Sequence, residues 1–312
     1  MKISHVLIPL ALRQDIDERH DLVLRLASRE GATVTLLHVI EDLVQDPQVA
    51  IPESCADLLE WIKEEQQKRL EQIALRVKHQ FQGVKIATKV LVGRAFEHII
   101  YTASDLKTDL IVIDAQRGFH SLKNSYGSTT KHLMRKSPIP VWTLSENAKS
   151  EIPKIAVALD VNVDSEDAHQ LNNQLIKCAA RIAQAQETSV TLLHCWELYG
   201  ESYLRNWERR DELDIAVEME KERERRKAMC EDAVNKAKDV SVDVNIQLLH
   251  GNATDQLTLY AEKEQLDLMV MGTVCRTGIA GFLIGNTAES VLDRLSCSVL
   301  TLKPDNFKSP IL

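Results

Sequence analysis

The sequence predicts an α/β fold in duplicate: two tandem, doubly wound domains, each with a five-stranded parallel sheet. Three observations carry this. The chain is 312 residues long, about twice the length of an ordinary compact domain. Short β-branched apolar runs alternate with longer amphipathic stretches, the order that yields parallel strands joined by right-handed helical crossovers. The second half also repeats the first, since Val34-Thr-Leu-Leu-His38 recurs unchanged as Val190-Thr-Leu-Leu-His194.

In the first half, residues 4–10, 33–39, 85–91, 109–114 and 139–144 read as strands. They are near-continuously apolar, as strands covered on both faces should be. Helices are expected over 14–29, 55–80, 95–105 and 126–136. In 55–80, Leu58, Leu59, Ile62, Leu70, Ile73, Leu75 and Val77 recur near helical spacing among Glu, Lys and Gln. Matching helices follow at 166–187, 206–238, 253–264 and 285–295. The strands align between halves: Val6-Leu-Ile-Pro-Leu-Ala11 faces Ile155-Ala-Val-Ala-Leu-Asp160 at an offset of 149. The offset is 156 at the repeated pentapeptide. It is 158 for Val90–Gly93 against Leu248–Gly251, Asp109–Ile113 against Asp267–Met271, and Pro140–Leu144 against Ser298–Leu302. Length changes are thus confined to early connections, where insertions are tolerated. The polar junction Glu146–Pro153 separates domains at 1–147 and 153–305.

Composition narrows the function. Apolar residues are 44% and charged residues 27%, and no apolar run reaches the ~18 residues of a membrane span. With no signal-peptide pattern at the start, a soluble cytoplasmic protein is expected. The net charge of −8 divides into +1 for residues 1–150 and −9 for 151–312. An acidic second half argues against nucleic acid as a partner. The mixed-sign run Glu218–Lys227 reads as a solvated helix face. The six cysteines show no C-x-x-C spacing, so reduced thiols are expected, and the ten histidines form no compact metal-binding motif. P-loop, dinucleotide-fingerprint and nucleophile-elbow motifs are missing, so the motifs point to no enzyme class.

Ligands of doubly wound sheets bind at the carboxyl ends of the strands, where the strand order reverses. There the second half reads Met271-Gly-Thr-Val-Cys-Arg-Thr-Gly-Ile-Ala-Gly-Phe-Leu-Ile-Gly-Asn-Thr-Ala-Glu289. Gly272 sits at a strand end, and Gly285-Asn286-Thr287 opens the last helix. Asn286 with Glu289 suggests an N-cap and capping box, and free amides at that helix start favour an anion such as phosphate.

Gly272-Thr-Val-Cys-Arg-Thr-Gly278, Gly285-Asn-Thr-Ala-Glu289 and Cys297–Pro304 closely resemble the universal stress protein family, in particular its tandem-domain, E-type members. The resemblance extends over essentially the whole chain, including Gly93-Arg-Ala-Phe-Glu97 and Ser137–Trp142. It implies the adenine nucleotide alpha hydrolase-like fold and a stress-response binding or signalling role. Nucleotide-binding members carry G-x-x-G-x9-G-[S/T] after strand 4 and an aspartate after strand 1. By resemblance, ATP or another adenine nucleotide, with or without Mg²⁺, is expected in the second half. Its site would comprise Ala158, Asp160, Cys195, Met271, Gly272, Cys275, Gly285, Asn286 and Thr287. Cys275 replaces the second glycine and Asn286 the Ser/Thr.

The first half departs further. Ala11 replaces the aspartate, and Asp114 and Arg117 occupy the early glycine positions, where they are expected to form an ion pair across a degenerate pocket. Asp114, His120 and His132 are a weaker alternative as zinc ligands. The resemblance also implies an intramolecular pseudo-dimer, with Pro140–Leu144 paired to Ser298–Leu302 so that both edges are covered. Protein partners and further dimerisation are left open. The alternatives to a nucleotide module are a nucleotide-independent scaffold, for which Cys275 would mark a degenerate site, and a slow ATPase.

Overall fold

The computed structural model of the chain describes residues 3–41, 53–115, 126–163, 165–201, 212–237, 240–273 and 285–312. Its first half runs β1 (His5–Pro9), α1 (Asp21–Glu30), β2 (Thr33–Ile40), α2 (Glu53–Gln80), β3 (Lys85–Val92), α3 (Ala95–Asp105), β4 (Leu110–Asp114), α4 (Ser128–Lys136) and β5 (Val141–Leu144). The second runs β6 (Ile155–Ala158), α5 (Glu166–Ala185), β7 (Val190–Trp196), α6 (Glu212–Lys236), β8 (Val244–His250), α7 (Ala253–Glu264), β9 (Leu268–Gly272), α8 (Asn286–Leu292) and β10 (Ser298–Leu302).

The strands lie in the order β3-β2-β1-β4-β5-β10-β9-β6-β7-β8. Each half is therefore a parallel five-stranded sheet, and the last strands of the two halves pair antiparallel to make one sheet of ten. At the seam Val299 lies opposite Thr143, Leu300 opposite Trp142 and Thr301 opposite Val141. Thr143 Oγ1 donates to the Val299 carbonyl at 3.0 Å, and Thr301 Oγ1 donates to the Val141 carbonyl at 3.2 Å. Those threonines are repeat equivalents, so the seam has an approximate two-fold axis. Both edge rows of backbone groups are paired there.

Alternation along the inner strands feeds two apolar layers. Val6, Ile8, Ile155 and Val157 point into a layer under α1, α2, α5 and α6, whereas Leu7 and Ala156 point into a layer under α3, α4, α7 and α8. Both layers continue across the seam. The outermost strands β3 and β8 are only half-buried, unlike the fully covered strands expected at 85–91. Lys85 and Lys89 on β3 suit an edge that must not pair further.

Helix α1 starts seven residues later than its expected start at 14. Asp17 ends the preceding loop by accepting from the Arg19 amide, and Glu18–His20 form a single 3-10 turn before Asp21. Its repeat partner α5 has 20 residues to the 10 of α1 and starts on a Ser165 cap. Both helices are followed by a residue in the left-handed region: Gly31 at φ 63°, directly after α1, and Glu187 at φ 52°, two residues beyond the end of α5. A side chain there costs about 1 kcal/mol, offset in part by the greater freedom of glycine in the unfolded chain. Glu187→Gly is expected to raise stability by about 0.5–1 kcal/mol, measured by denaturant unfolding. A loss would mean that the Glu187 side chain stabilises the native state.

Candidate functional site

In the second half the crevice opens between β6 and β9, where the strand order reverses. Ala158 and Met271 stand side by side in the register there, and Gly272 ends β9. The ladder continues one residue past β6, with the Leu159 amide donating to the Leu193 carbonyl at 2.9 Å. The chain then leaves the sheet. His194 Nδ1 lies 3.0 Å from the Leu159 carbonyl, so the ring carries its proton on that nitrogen. The next carbonyl, that of Asp160, accepts from Asn172 Nδ2 at 3.0 Å, and Asp160 Oδ1 accepts from the Asn162 amide at 3.0 Å. Two of these hydrogen bonds hold the backbone carbonyls of Leu159 and Asp160, and one holds the half-buried carboxylate itself. Behind it, His194 Nε2 and Asn172 Oδ1 are buried acceptors with no hydrogen-bond partner among the described residues. Burial pushes the imidazole below its ordinary range, so it is neutral near pH 7.

Cys195 is half-buried against the second apolar layer, and burial pushes its thiol up to about 12. It is held there as a protonated thiol and not as a nucleophile. Met271 is buried. Gly272 has a packing role that its sequence context does not show, since a Cβ there would sit 3.0 Å from Leu171 Cδ2 on α5. The Gly285 amide donates to the Thr273 carbonyl at 3.0 Å, which holds the start of α8 against the end of β9. Gly285 is itself the N-cap of α8 and Asn286 its first helical residue, in place of the expected Asn286 cap. Glu289 makes no capping box and instead pairs with Arg135 of α4. Thr287 is exposed. Cys275 and the side chain of Asn286 lie outside the described residues.

The first half closes the same crevice with its own side chains. The expected partner of Asp114, Arg117, lies outside the described residues. The carboxylate is held by Arg19, whose Nη2 donates to Asp114 Oδ2 at 2.8 Å. Arg19 also grips both oxygens of Asp17, through Nε at 3.0 and 2.9 Å and through Nη2 at 2.7 Å. The wholly buried His20 lies between them, with Nδ1 3.1 Å from Asp17 Oδ1 and Nε2 3.8 Å from Asp114 Oδ1. Burial pushes Asp114 above the usual carboxylate range, and His20 and Arg19 pull it back only in part. Burial also acts upward on Asp17, but hydrogen bonds from His20 and Arg19 hold it well below that range. Position 11 has no carboxylate, and its amide donates to Gln14 Oε1 at 2.8 Å.

The repeated histidines share a role, since His38 Nδ1 lies 2.9 Å from the Leu10 carbonyl as His194 does from Leu159. His132 stacks on Phe96 with ring centroids 4.3 Å apart. With Asp114 committed to Arg19 and His120 outside the described residues, the zinc alternative has no support here. Among the described residues no group of three metal-ligating side chains occurs, and no helix is long and apolar enough to cross a membrane. Asn172, Arg19 and His20 were not anticipated as site residues. Asn172 had a signal, an amide on the otherwise apolar stripe Ala168-Leu171-Leu175-Ile176. Arg19 had none, because its partner lies 95 residues away.

Comparison with known proteins agrees with this architecture. The universal stress protein family matches twice, over residues 4–145 and 151–303. Universal stress protein E of Escherichia coli K12 is 31% identical over 243 residues, 73% of this chain and 72% of that protein. Universal stress protein E of Salmonella typhi is 29% identical over 265 residues, 80% and 76% of the two chains. The crystal structure of a functionally unknown protein from Pseudomonas aeruginosa PAO1 shares the fold with a TM-score of 0.67 at 22% identity, covering 97% of this chain and 94% of that one. A universal stress protein from Archaeoglobus fulgidus superposes with a TM-score of 0.63 at 16% identity, covering 97% of each chain. A duplicated 3-2-1-4-5 sheet joined at its last strands, matched along both halves, belongs to the universal stress protein family, in its tandem-domain form.

Proposed function

We propose that this tandem universal stress protein is a stress-response binding module whose second half takes an adenine nucleotide and whose first half does not. The placement of Asp160 carries the reading. A carboxylate that accepts from the Asn162 amide, on backbone anchored by His194 and Asn172 at a strand-order switch point, is pre-organised to accept from the hydroxyl or amino groups of a nucleoside. The two buried acceptors behind it, His194 Nε2 and Asn172 Oδ1, fit a donor-bearing ligand. Ala158, Cys195 and Met271 offer an apolar wall suited to a base, and Gly272 with Gly285 brings backbone close to where phosphate would lie. Residues 274–284, which include Cys275, would complete the phosphate end. Asn286 and Thr287 would supply polar groups there, with Mg²⁺ an optional companion of the phosphates. The first half has Ala11 in place of Asp160 and a buried ionic cluster across its crevice.

The nucleotide would act as a state reporter. The acidic second half is compatible with phosphate because helix-terminal amides, not net charge, would bind it.

Calorimetry with millimolar ATP, ADP or AMP and magnesium tests this. Binding is expected, with about a tenfold loss on Asp160→Ala, equivalent to ~1.4 kcal/mol, and a comparable loss on Gly285→Trp. Ala11→Asp is expected to change nothing. Absence of heat for all three nucleotides overturns the reading. Tight binding gained only in Cys275→Gly would make the native protein a nucleotide-independent scaffold. Mass spectrometry of small molecules released on denaturation identifies the resident ligand directly.

A further inference from the structure

Duplication leaves each half with a seam that is complementary to itself, because β5 and β10 pair about an approximate two-fold axis. The threonine hydrogen bonds obey that symmetry, and a first half meeting a second copy of a first half would reproduce them. Such like-with-like pairing would be damaging in a tandem chain. First halves would join first halves and second halves would join second halves, giving open-ended strings of molecules. Some feature of the seam must distinguish the two halves.

That feature lies beside the strands, where α4 meets α8. Lys131 Nζ is 2.7 Å from Asp293 Oδ1, and Arg135 pairs with Glu289. In the repeat, Lys131 corresponds to Glu289 and Arg135 to Asp293, each at the offset of 158 that holds through this part of the chain. The contacts are crossed: each cation meets the equivalent of the other cation. Two copies of the first half would therefore place Lys131 against Arg135 twice, four positive charges and no partner. Two copies of the second half would place Glu289 against Asp293 twice. The two halves of one chain make two attractive pairs instead. All four side chains are only about two-thirds buried, so each pair alone adds little stability. Selectivity comes from the difference between two attractions and two repulsions.

A further ion pair between the halves does not discriminate in this way. Arg181 of α5 pairs with Glu30 of α1, and the repeat equivalent of Arg181 is Arg25. A first-half self-pair would bring Arg25 to Glu30 and recover an attraction. Among the ion pairs between the described residues of the two halves, charge discrimination against both self-pairings thus rests on α4 and α8.

We propose that Lys131, Arg135, Glu289 and Asp293 are a pairing code that makes a first half and a second half each other's partner and turns away the like half of a second copy.

The test uses the full chain. K131E/R135E makes the contact wholly acidic and E289K/D293K makes it wholly basic, whereas the quadruple variant exchanges the signs. Each double variant is expected to melt about 5 °C lower and to show multi-chain species by sedimentation. The quadruple is expected to recover most of that loss and to sediment as the parent does. The two double variants, refolded together, should form a 1:1 complex in which each acidic half meets a basic one. K131Q/R135Q should lose less than K131E/R135E. The code is overturned if the double variants melt with the parent, if the quadruple melts as low as the doubles, or if K131Q/R135Q falls as far as K131E/R135E. If a double variant does not fold at all, folding of the quadruple supports the code and its failure overturns it.

Discussion

Arg19→Met is expected to lower stability by about 3–5 kcal/mol at pH 7, the cost of leaving a buried charge without its partner. Among the described cationic side chains, Asp114 would then be left facing His20 Nε2, 3.8 Å away. The loss should be much smaller at pH 5, and the sign follows from linkage. The folded-state pKa of Asp114 already lies above the ordinary value because of burial. Between the ordinary and the raised value the native state binds the proton more tightly than the unfolded chain, so stability falls as pH rises through that window. Without Arg19 the window extends upward, and acid relieves the variant by neutralising the stranded carboxylate. Adding Asp114→Asn to Arg19→Met should recover more than half of the loss at pH 7. Denaturant unfolding of both variants at the two pH values measures this. Equal losses at pH 5 and pH 7 would show that Arg19 acts through packing and not through charge.

The same cluster marks the limit of what the sequence reveals. The duplication and the parallel strand order are legible because local patterns and their spacing report on backbone topology, whereas the pairing of β5 with β10 is implied by the family resemblance alone. Asp160 and Gly272 are legible because they fall at strand ends, where the topology dictates a crevice. The partner of Asp114 is not, because it depends on where a loop of irregular structure returns. Arg117 is near in sequence and chemically suitable, yet Arg19 arrives from the turn before α1. That turn exists because α1 is ten residues shorter than α5. In the second half the long α5 carries Leu171 to within contact of Gly272. At one sheet position, therefore, one copy packs a leucine against glycine and the other neutralises an aspartate with arginine. Helix length, more than the identity of position 114, decides which solution is open.

Lys303 shows the same dependence on tertiary placement, with consequences for pH. It follows β10, yet its Nζ donates to the carbonyl of Met134 in the last turn of α4 and, at 3.1 Å, to Thr273 Oγ1. It also lies 4.9 Å from the centroid of the Phe307 ring. One ammonium thus joins the second half to the C-terminal end of a first-half helix, where a cation is favoured. Burial pushes this group down to about 7 from an ordinary value of 10.5. Between those values the unfolded chain holds a proton that the native state lacks, so the contribution of Lys303 makes stability rise with pH through that window. Below pH 7 the native state carries a buried charge. Lys303→Met removes the charge and also the donor to Met134. The variant is expected to be about 1–2 kcal/mol more stable than the parent at pH 6, because an apolar side chain of similar length avoids the desolvation cost. The order should reverse by pH 9, where the parent holds a neutral amine that still donates to the Met134 carbonyl. The difference between the two proteins should change by up to ~1.4 kcal/mol per pH unit above pH 7. Parallel unfolding curves at pH 6, 7.5 and 9 measure it. A constant difference across that range would mean that Lys303 keeps its proton throughout, with Met134, Thr273 and Phe307 fully replacing the water it lost.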